Sequence, residues 1–415
     1  MAGIRGFFRS LREFGPAALV TAAFIGPGTL TTCTLAGASW GFTLLWGLLF
    51  ATIATIILQD MASRLGIAGR RSLGEAINMS FSSGGRIAAV AVVILAIGIG
   101  NAAYEAGNIA GASMGIESVT SVSTIKAGAV SIRIWPLITG VLAFIILFSG
   151  SYRMLERILV SLVILMSITF ITAAVMIKPP LAAILRGLFV PEIPNGSLVM
   201  LIGLIGTTVV PYNLFLHASA AREKWKRRDD ISKSTIDSVI AIGLGGVISG
   251  AIVVTSASAF YGTGREIAGV ADLGVQLEPL LGGVSRYFMA AGIFSAGISS
   301  AVTAPLAASY AITGVLNLEN NMRSRPFRLI WICVLFTGVL FATLGMRPVR
   351  MILLAQFMNG LLLPVLAIFL LKAVNNRQIM GDAVNGPVRN SVGIIIILIT
   401  FLLGLRSIAG VAGII

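Results

Sequence analysis

The sequence predicts an all-helical protein that crosses a membrane many times, and three observations carry that expectation. Of its 415 residues, 57% are hydrophobic and only 11% are charged. No water-soluble domain sustains that balance, so the soluble enzyme classes drop out. The apolar residues gather into eleven runs, most of them near the roughly 20 residues that a helix needs to cross a bilayer. Two of these runs are interrupted by proline near their middles, roughly half a chain apart.

The eleven runs cover residues 16–38, 42–63, 87–114, 134–150, 155–177, 198–221, 236–261, 280–314, 328–345, 350–373 and 391–412. Most are bounded by Arg/Lys, Gly or Pro clusters. The 47 glycines suit helices that pack closely in lipid. The first run is a full span rather than the short apolar core of a cleavable signal peptide. With the N-terminus inside, most of the 30 lysines and arginines fall in alternate loops, from Arg5, Arg9 and Arg12 to Arg377 and Arg389. That bias places the N-terminus in the cytoplasm and, after eleven spans, the C-terminus outside, in a prokaryotic-type plasma membrane. The net charge of +14 is spread over these short loops, so it reads as topology rather than nucleic-acid binding. The densest run, Arg222 to Arg228, reads as an anchor at the lipid headgroups. The polar stretches near residues 262–278 and 317–326 read as loops, with no extramembrane domain. Cys33 and Cys333 both lie in apolar runs and read as small core residues.

The first interrupted run holds Phe24-Ile25-Gly26-Pro27-Gly28-Thr29-Leu30-Thr31-Thr32. Proline removes a backbone donor and clashes with the preceding turn, and flanking glycines add no rigidity. The second holds Thr207-Thr208-Val209-Val210-Pro211-Tyr212-Asn213. In Gly26-Pro27-Gly28-Thr29 and Val210-Pro211-Tyr212-Asn213 alike, proline is second and a small polar side chain is fourth. One such proline merely kinks a helix. Lipid does not tolerate the freed N–H and C=O groups, so a break must be buried against protein or a ligand. A matched pair of breaks in two halves of a chain points to the binding site of a secondary transporter.

Ionisable residues inside a span are costly and point to function. Glu105 lies in the third run and His217, the only histidine, follows the second break; both are candidates for ion or proton coupling. Asp60 stands one helical turn from Arg64, which predicts an ion pair along the helix. Ser299 and Ser300 in the eighth run are candidates for a sodium site with carbonyls freed at the first break. Gln356 in the tenth run, just before Asn359 and Pro364, is a further polar candidate.

Together these residues resemble the Nramp divalent-metal transporters, over nearly the whole chain. The likeness includes both breaks and Leu58-Gln59-Asp60 through Gly66. It extends to Asn213 through Ser219, Ala290 through Ser300, and Gln356 through Pro364. It implies proton-coupled transport and a LeuT-type fold of two inverted five-helix repeats, about 16–177 and 198–373, plus one extra helix at 391–412. All of this lies in a single membrane domain over 1–415. The motifs depart from the family at the centre. The family's Asp-Pro-Gly-Asn, whose Asp and Asn bind metal, reads with Gly26 and Thr29 in those places. Its Met-Pro-His-Asn reads with Val210 and Tyr212 for Met and His, and Asn213 is kept. Glu105 is kept without the family's nearby Asp.

A dehydrated divalent metal wants carboxylate, imidazole or thioether ligands. This centre offers hydroxyls, amides and carbonyls, with two helix N-termini aimed into it. The expected substrate is therefore a small inorganic anion, bicarbonate first. It would be held by Gly26, Gly28, Thr29, Val209, Tyr212, Asn213 and Gln356, with Na+ or H+ coupled and no cofactor or resident metal. The alternative is a divalent cation, such as magnesium, that stays mostly hydrated. A third expectation, a non-transporting receptor, fits poorly with two retained breaks.

Overall fold

A computed structural model of the chain describes residues 25–120, 124–127, 130–149, 153–344 and 347–411. The first part of the first expected span, residues 16–24, lies outside them. Helix α1, Pro27–Trp40, is the second part of that span; it ends at Gly41, whose φ of 59° only glycine adopts easily. Helix α2 is Leu45–Ala68. The short α3, Leu73–Ser80, starts on a capping box in which Ser72 and Glu75 satisfy each other's backbone N–H. Helix α4, Ser83–Glu117, is followed by a two-stranded antiparallel hairpin, β1 Thr124–Ala127 with β2 Val130–Arg133. β-branched residues on both arms favour paired strands.

Helices α5, Ile134–Ser149, and α6, Arg153–Met176, come next. After α6 the chain bends by 119° into α7, Leu181–Phe189. Helix α8, Leu198–Thr208, and helix α9, Tyr212–Lys224, are the two parts of the second interrupted span. The remaining long helices are α10, Ile231–Phe260, α13, Ser285–Val315, α14, Arg325–Thr343, α15, Pro348–Val374, and α17, Pro387–Val411. Short α11, Val270–Val275, and α12, Glu278–Leu281, precede α13, and α16, Arg377–Met380, precedes α17.

In their described residues, ten of the eleven apolar runs have a principal helix each, and the run 198–221 is divided between α8 and α9. Among the described residues, eight segments are long and apolar enough to cross a membrane alone, the α8–α9 segment Leu198–Lys224 among them. Helix α5 has 16 residues, and α1 is the described part of a longer run. Isoleucine, leucine and phenylalanine side chains such as Ile87, Leu95, Ile99, Phe336 and Leu402 face outward from these helices, where lipid would cover them.

Glycine brings the helices to backbone contact. A Cβ added to Gly37 on α1 would sit 2.4 Å from the Val253 carbonyl oxygen on α10. At Gly206 on α8 it would sit 2.0 Å from the Gln356 carbonyl oxygen on α15. This close crossing, not a wide apolar core, lets broken helices sit among continuous ones. The stretch at 262–278 is not a free loop. Gln276 is fully buried, with its Nε2 donating to Thr34 Oγ1 at 2.9 Å and its Oε1 accepting from Thr255 at 3.0 Å.

Candidate functional site

Helix α1 starts abruptly. Gly26 is extended (φ −109°, ψ −170°), Pro27 has no N–H, and the first helical bond runs from Leu30 N to Gly26 O at 3.2 Å. The N–H groups of Gly28 and Thr29 therefore belong to a first turn with no acceptor inside the helix. The Gln356 amide lies directly on Gly28. A Cβ there would meet Gln356 Nε2 at 2.0 Å, so only glycine allows this approach. Pro27 rests on Gly111 of α4, where a Cβ would be 2.3 Å away.

The second break is fully contained in the described residues. Val209 N closes onto Ile205 O at 2.8 Å, and Val209 then leaves helical geometry (φ −94°, ψ 73°). Helix α9 resumes at Tyr212, with Asn213 N bonded to Val210 O at 3.0 Å. Val209 and Val210 are fully buried, so the break is shielded by protein, as lipid requires.

The two breaks touch. Thr29 Oγ1 lies 2.9 Å from Thr207 Oγ1, a buried contact between residues 178 positions apart. Tyr212 packs edge-on against Tyr104 of α4, with ring centroids 5.3 Å apart, and the Tyr104 hydroxyl reaches toward Gln356. Several buried polar atoms here have no hydrogen-bond partner: both amide atoms of Asn213, Gln356 Oε1, and the Thr31 and Thr32 hydroxyls. Buried polar groups are normally paired, so unpaired atoms on both broken helices and on α15 ask for a partner.

The structure thus draws Gly28, Thr29, Tyr212 and Gln356 together through these contacts, with Gly26, Val209 and Asn213 adjoining them in the chain. It places the other candidates elsewhere. Glu105 follows Tyr104 on α4 but turns toward α14, where Gly338 makes room for it: a Cβ there would be 2.5 Å from Glu105 Cγ. Asn108 Nδ2 donates to Glu105 Oε2 at 3.3 Å, and Oε1 has no partner. His217 Nδ1 lies 3.0 Å from Gln59 Oε1 on α2, while His217 Nε2 and Gln59 Nε2 are unpartnered. Ser300 is fully buried and engaged, and Ser299 is half-buried with its carbonyl accepting from Thr303 at 2.8 Å.

Asp60 corrects an expectation. Its Oδ1 accepts from Thr235 at 2.5 Å and its Oδ2 faces Arg389 Nε at 3.8 Å. Arg64, the expected partner, donates instead to Asn385 Oδ1 and Ala383 O, both at 2.7 Å. Sequence proximity offered Arg64, but the fold supplies Asp60 with partners from α10 and α17 and Arg64 with partners from the segment before α17. Thr207 and Tyr104, which touch Thr29 and Tyr212, are neighbours of these candidates that the sequence did not single out. The doubled hydroxyls Thr207-Thr208, answering Thr31-Thr32 at the other break, were the available signal. No group of three or more His, Cys, Asp or Glu able to hold a metal is found among the described residues.

A bundle of membrane-spanning helices, with a helix broken at its centre and unpaired polar atoms at the break, defines an integral membrane transporter rather than an enzyme. The family model described as natural resistance-associated macrophage protein-like, Nramp, matches residues 17–410, and the chain belongs to that family. It is 28% identical over 398 residues to a divalent metal cation transporter MntH of Yersinia enterocolitica, covering 94% of this chain and 92% of that protein. A protein of the same name from Klebsiella pneumoniae is 29% identical over 383 residues, covering 90% and 88%. Among solved structures, the Eremococcus coleocola manganese transporter superposes with a TM-score of 0.75 at 21% identity, over 97% of this chain and 87% of that one. Mhp1, a nucleobase-cation-symport-1 family transporter, superposes at 0.56 and 15% identity, over 96% and 92%. The fold is the LeuT-type fold of these transporters.

Proposed function

We propose that the protein carries a small inorganic ion through the gap between its two breaks, held by neutral groups. A divalent cation that keeps much of its water shell, of the magnesium kind, is the leading substrate. The observation that carries this reading is the set of buried, unpartnered oxygens at the breaks, Asn213 Oδ1 and Gln356 Oε1 with the Thr31 and Thr32 hydroxyls. The waters around Mg²⁺ donate hydrogen bonds, and neutral acceptors suffice to receive them. The relatives' name as divalent metal cation transporters supports the charge of the ion. A bare transition metal fits less well, since Val210 brings no thioether and neither helix carries an acid in its first turn.

One feature favours a second reading, a small anion such as bicarbonate. Helices α1 and α9 both start at the breaks without an acidic residue in the first turn, so two positive dipole ends meet there. Either ion requires a coupling partner to move uphill. A proton at Glu105 or His217, or sodium at Ser299 and Ser300, fills that role in this proposal. The chain runs with its N-terminus in the cytoplasm.

Purified protein in liposomes tests both readings. Saturable Mg²⁺ uptake without bicarbonate uptake supports the first. Bicarbonate uptake without Mg²⁺ uptake replaces it with the second, and uptake of neither overturns both.

A further inference from the structure

We propose that Tyr104 is a specificity-determining residue, whose ring closes the α4 side of the gap between the breaks and sets the largest ion the gap admits. This rests on the reading that the ion sits between the breaks. Helix α4 meets α15 and Pro27 across glycines. A Cβ on Gly100 would lie 2.8 Å from the Leu362 side chain, one on Gly107 would lie 3.5 Å from Ile352 Cα, and one on Gly111 would lie 2.3 Å from Pro27. Tyr104 stands four residues after Gly100 and three before Gly107, so it shares their face of the helix. It is the only aromatic residue between Gly100 and Gly111, and it is buried. A face otherwise kept bare for close packing thus carries one large ring.

That ring spans the two breaks. It meets the Tyr212 ring edge-on, with centroids 5.3 Å apart. The Tyr104 hydroxyl reaches toward the Tyr212 hydroxyl and the Gln356 amide, and that amide lies on Gly28. Gly28, Gln356, Tyr104 and Tyr212 therefore form a continuous line from the first break to the second. A tyrosine turns about only two torsions, and a ring enclosed where two helices already touch cannot yield without moving them. The wall it makes is polar at its tip, where the Tyr212 hydroxyl and Gln356 Oε1 are buried without a hydrogen-bond partner. Buried phenols ordinarily have a partner. A small ion that presents oxygens, either the waters of a cation or the oxygens of an oxyanion, can satisfy these groups. A wider ion must push α4 away from α15.

The test uses the full chain in liposomes. A small ion and a wider one of the same charge are compared, Mg²⁺ with Ca²⁺ and bicarbonate with propionate, and the pair scored is the one whose small member the wild type carries. KM for the small ion and inhibition of its uptake by the wider one give a size ratio. Tyr104→Ala removes the wall and is expected to improve competition by the wider ion about tenfold, in the range of one methylene's worth of pocket discrimination. Tyr104→Phe keeps the ring and is expected to keep the size ratio while KM rises about fivefold, the usual effect of one neutral hydrogen bond. If phenylalanine loses the size ratio as fully as alanine does, the ring is not the wall and the inference is overturned. Gln356→Ala is the companion variant. If it raises KM while Tyr104→Ala leaves the size ratio unchanged, Tyr104 is only a packing residue and this inference fails alone. If Tyr104→Ala leaves the ratio unchanged and Gln356→Ala leaves KM unchanged, the ion does not sit at the breaks and the underlying reading fails too. If the alanine variant does not fold, Tyr104→Leu is measured in its place under the same criteria, because it fills part of the space without restoring the ring.

Discussion

Polar groups at the two breaks are buried, whereas those at the rim where α2 and α9 end range from buried (Asp60, Arg64) through half-buried (Arg222, Glu75) to exposed (Arg70, Arg389), and the two sets are treated in opposite ways. At the rim the charged groups find partners. Arg222 holds Glu75 at 3.0 and 3.1 Å, and Arg70 caps the carbonyls of Arg222 and Trp225 at 2.9 Å. Arg64 donates to Asn385 and Ala383, and Asp60 meets Thr235 and Arg389. At the breaks there are no charged side chains in either first turn, and neutral amides and hydroxyls stand unpaired. Leaving a buried polar atom unsatisfied costs about 1–3 kcal/mol. The charged groups of the rim avoid that cost within the protein itself, as groups that only tie helices together should. The breaks accept it, as a site completed by its cargo should. Two substitutions erase this contrast from either side, and two smaller ones measure it.

The largest effect is expected from Gly26→Asp, which puts a charge where the centre has none. Two unit charges roughly 4 Å apart at an effective dielectric of about 20 interact by about 4 kcal/mol, on the order of a thousandfold in affinity. The sign depends on the cargo. Divalent-cation uptake should gain affinity and extend to Mn²⁺, whereas bicarbonate uptake should collapse. Parallel uptake assays in one liposome preparation read the sign directly. An unchanged KM for both ions would remove the substrate from this break.

Next in size is Gly206→Ala. Its Cβ would lie 2.0 Å from the Gln356 carbonyl oxygen and 2.5 Å from Gly360 N, both backbone atoms that cannot swing aside. Helices α8 and α15 must separate, and overpacking of this kind costs about 1–3 kcal/mol. A lower melting temperature in detergent, together with reduced uptake, is expected; an unchanged melting temperature would show that the crossing is looser than described.

The architecture was legible in the sequence because its signals are local. Apolar runs mark spans, and Gly26-Pro27-Gly28 and Pro211 mark breaks, since proline acts on its own turn wherever it stands. The site was legible only in part. Gln356 could be named from its polarity inside a span, but its seat on Gly28 depends on a crossing between helices more than 300 residues apart in sequence. The doubled hydroxyls Thr207-Thr208 mark the break in the sequence, but nothing there says that Thr208 turns back on its own helix while Thr207 reaches across. The Asp60–Arg64 pairing failed for the same reason: the i, i+4 rule names a neighbour on one helix, while Thr235, Arg389 and Asn385 arrive from elsewhere. The hairpin after α4 was missed because its arms, four residues each, are too short to stand out beside full spans.

On the rim side of the comparison, Arg222→Ala leaves Glu75 half-buried without its partner. A charge-assisted hydrogen bond contributes about 1.5–3 kcal/mol, reduced here by partial exposure of both side chains. Loss of about 1 kcal/mol of stability is expected, with KM for the transported ion unchanged. A shift in KM without loss of stability would mean that this pair takes part in transport and that the contrast between rim and breaks is less clean than drawn.

The smallest effect sharpens the comparison most. Thr29→Ala removes one neutral hydroxyl from the first break, worth about 1 kcal/mol when its bond is lost. If the Thr29–Thr207 contact were only a strut, the loss would show as lower stability and leave KM alone, as at the rim. If bound ion oxygens take over that contact, stability should barely move while KM rises several-fold, because the hydroxyl matters more with cargo than without it. Differential scanning of the purified protein with and without the transported ion separates the two. In the wild type the ion should raise the melting temperature, and in Thr29→Ala that increment should shrink while the ion-free melting temperature stays within about a degree or two of wild type, given that about 1 kcal/mol shifts a large domain by only a few degrees. An unaltered increment together with a lowered ion-free melting temperature would place Thr29 with Arg222 and Glu75, among the groups that hold the helices together.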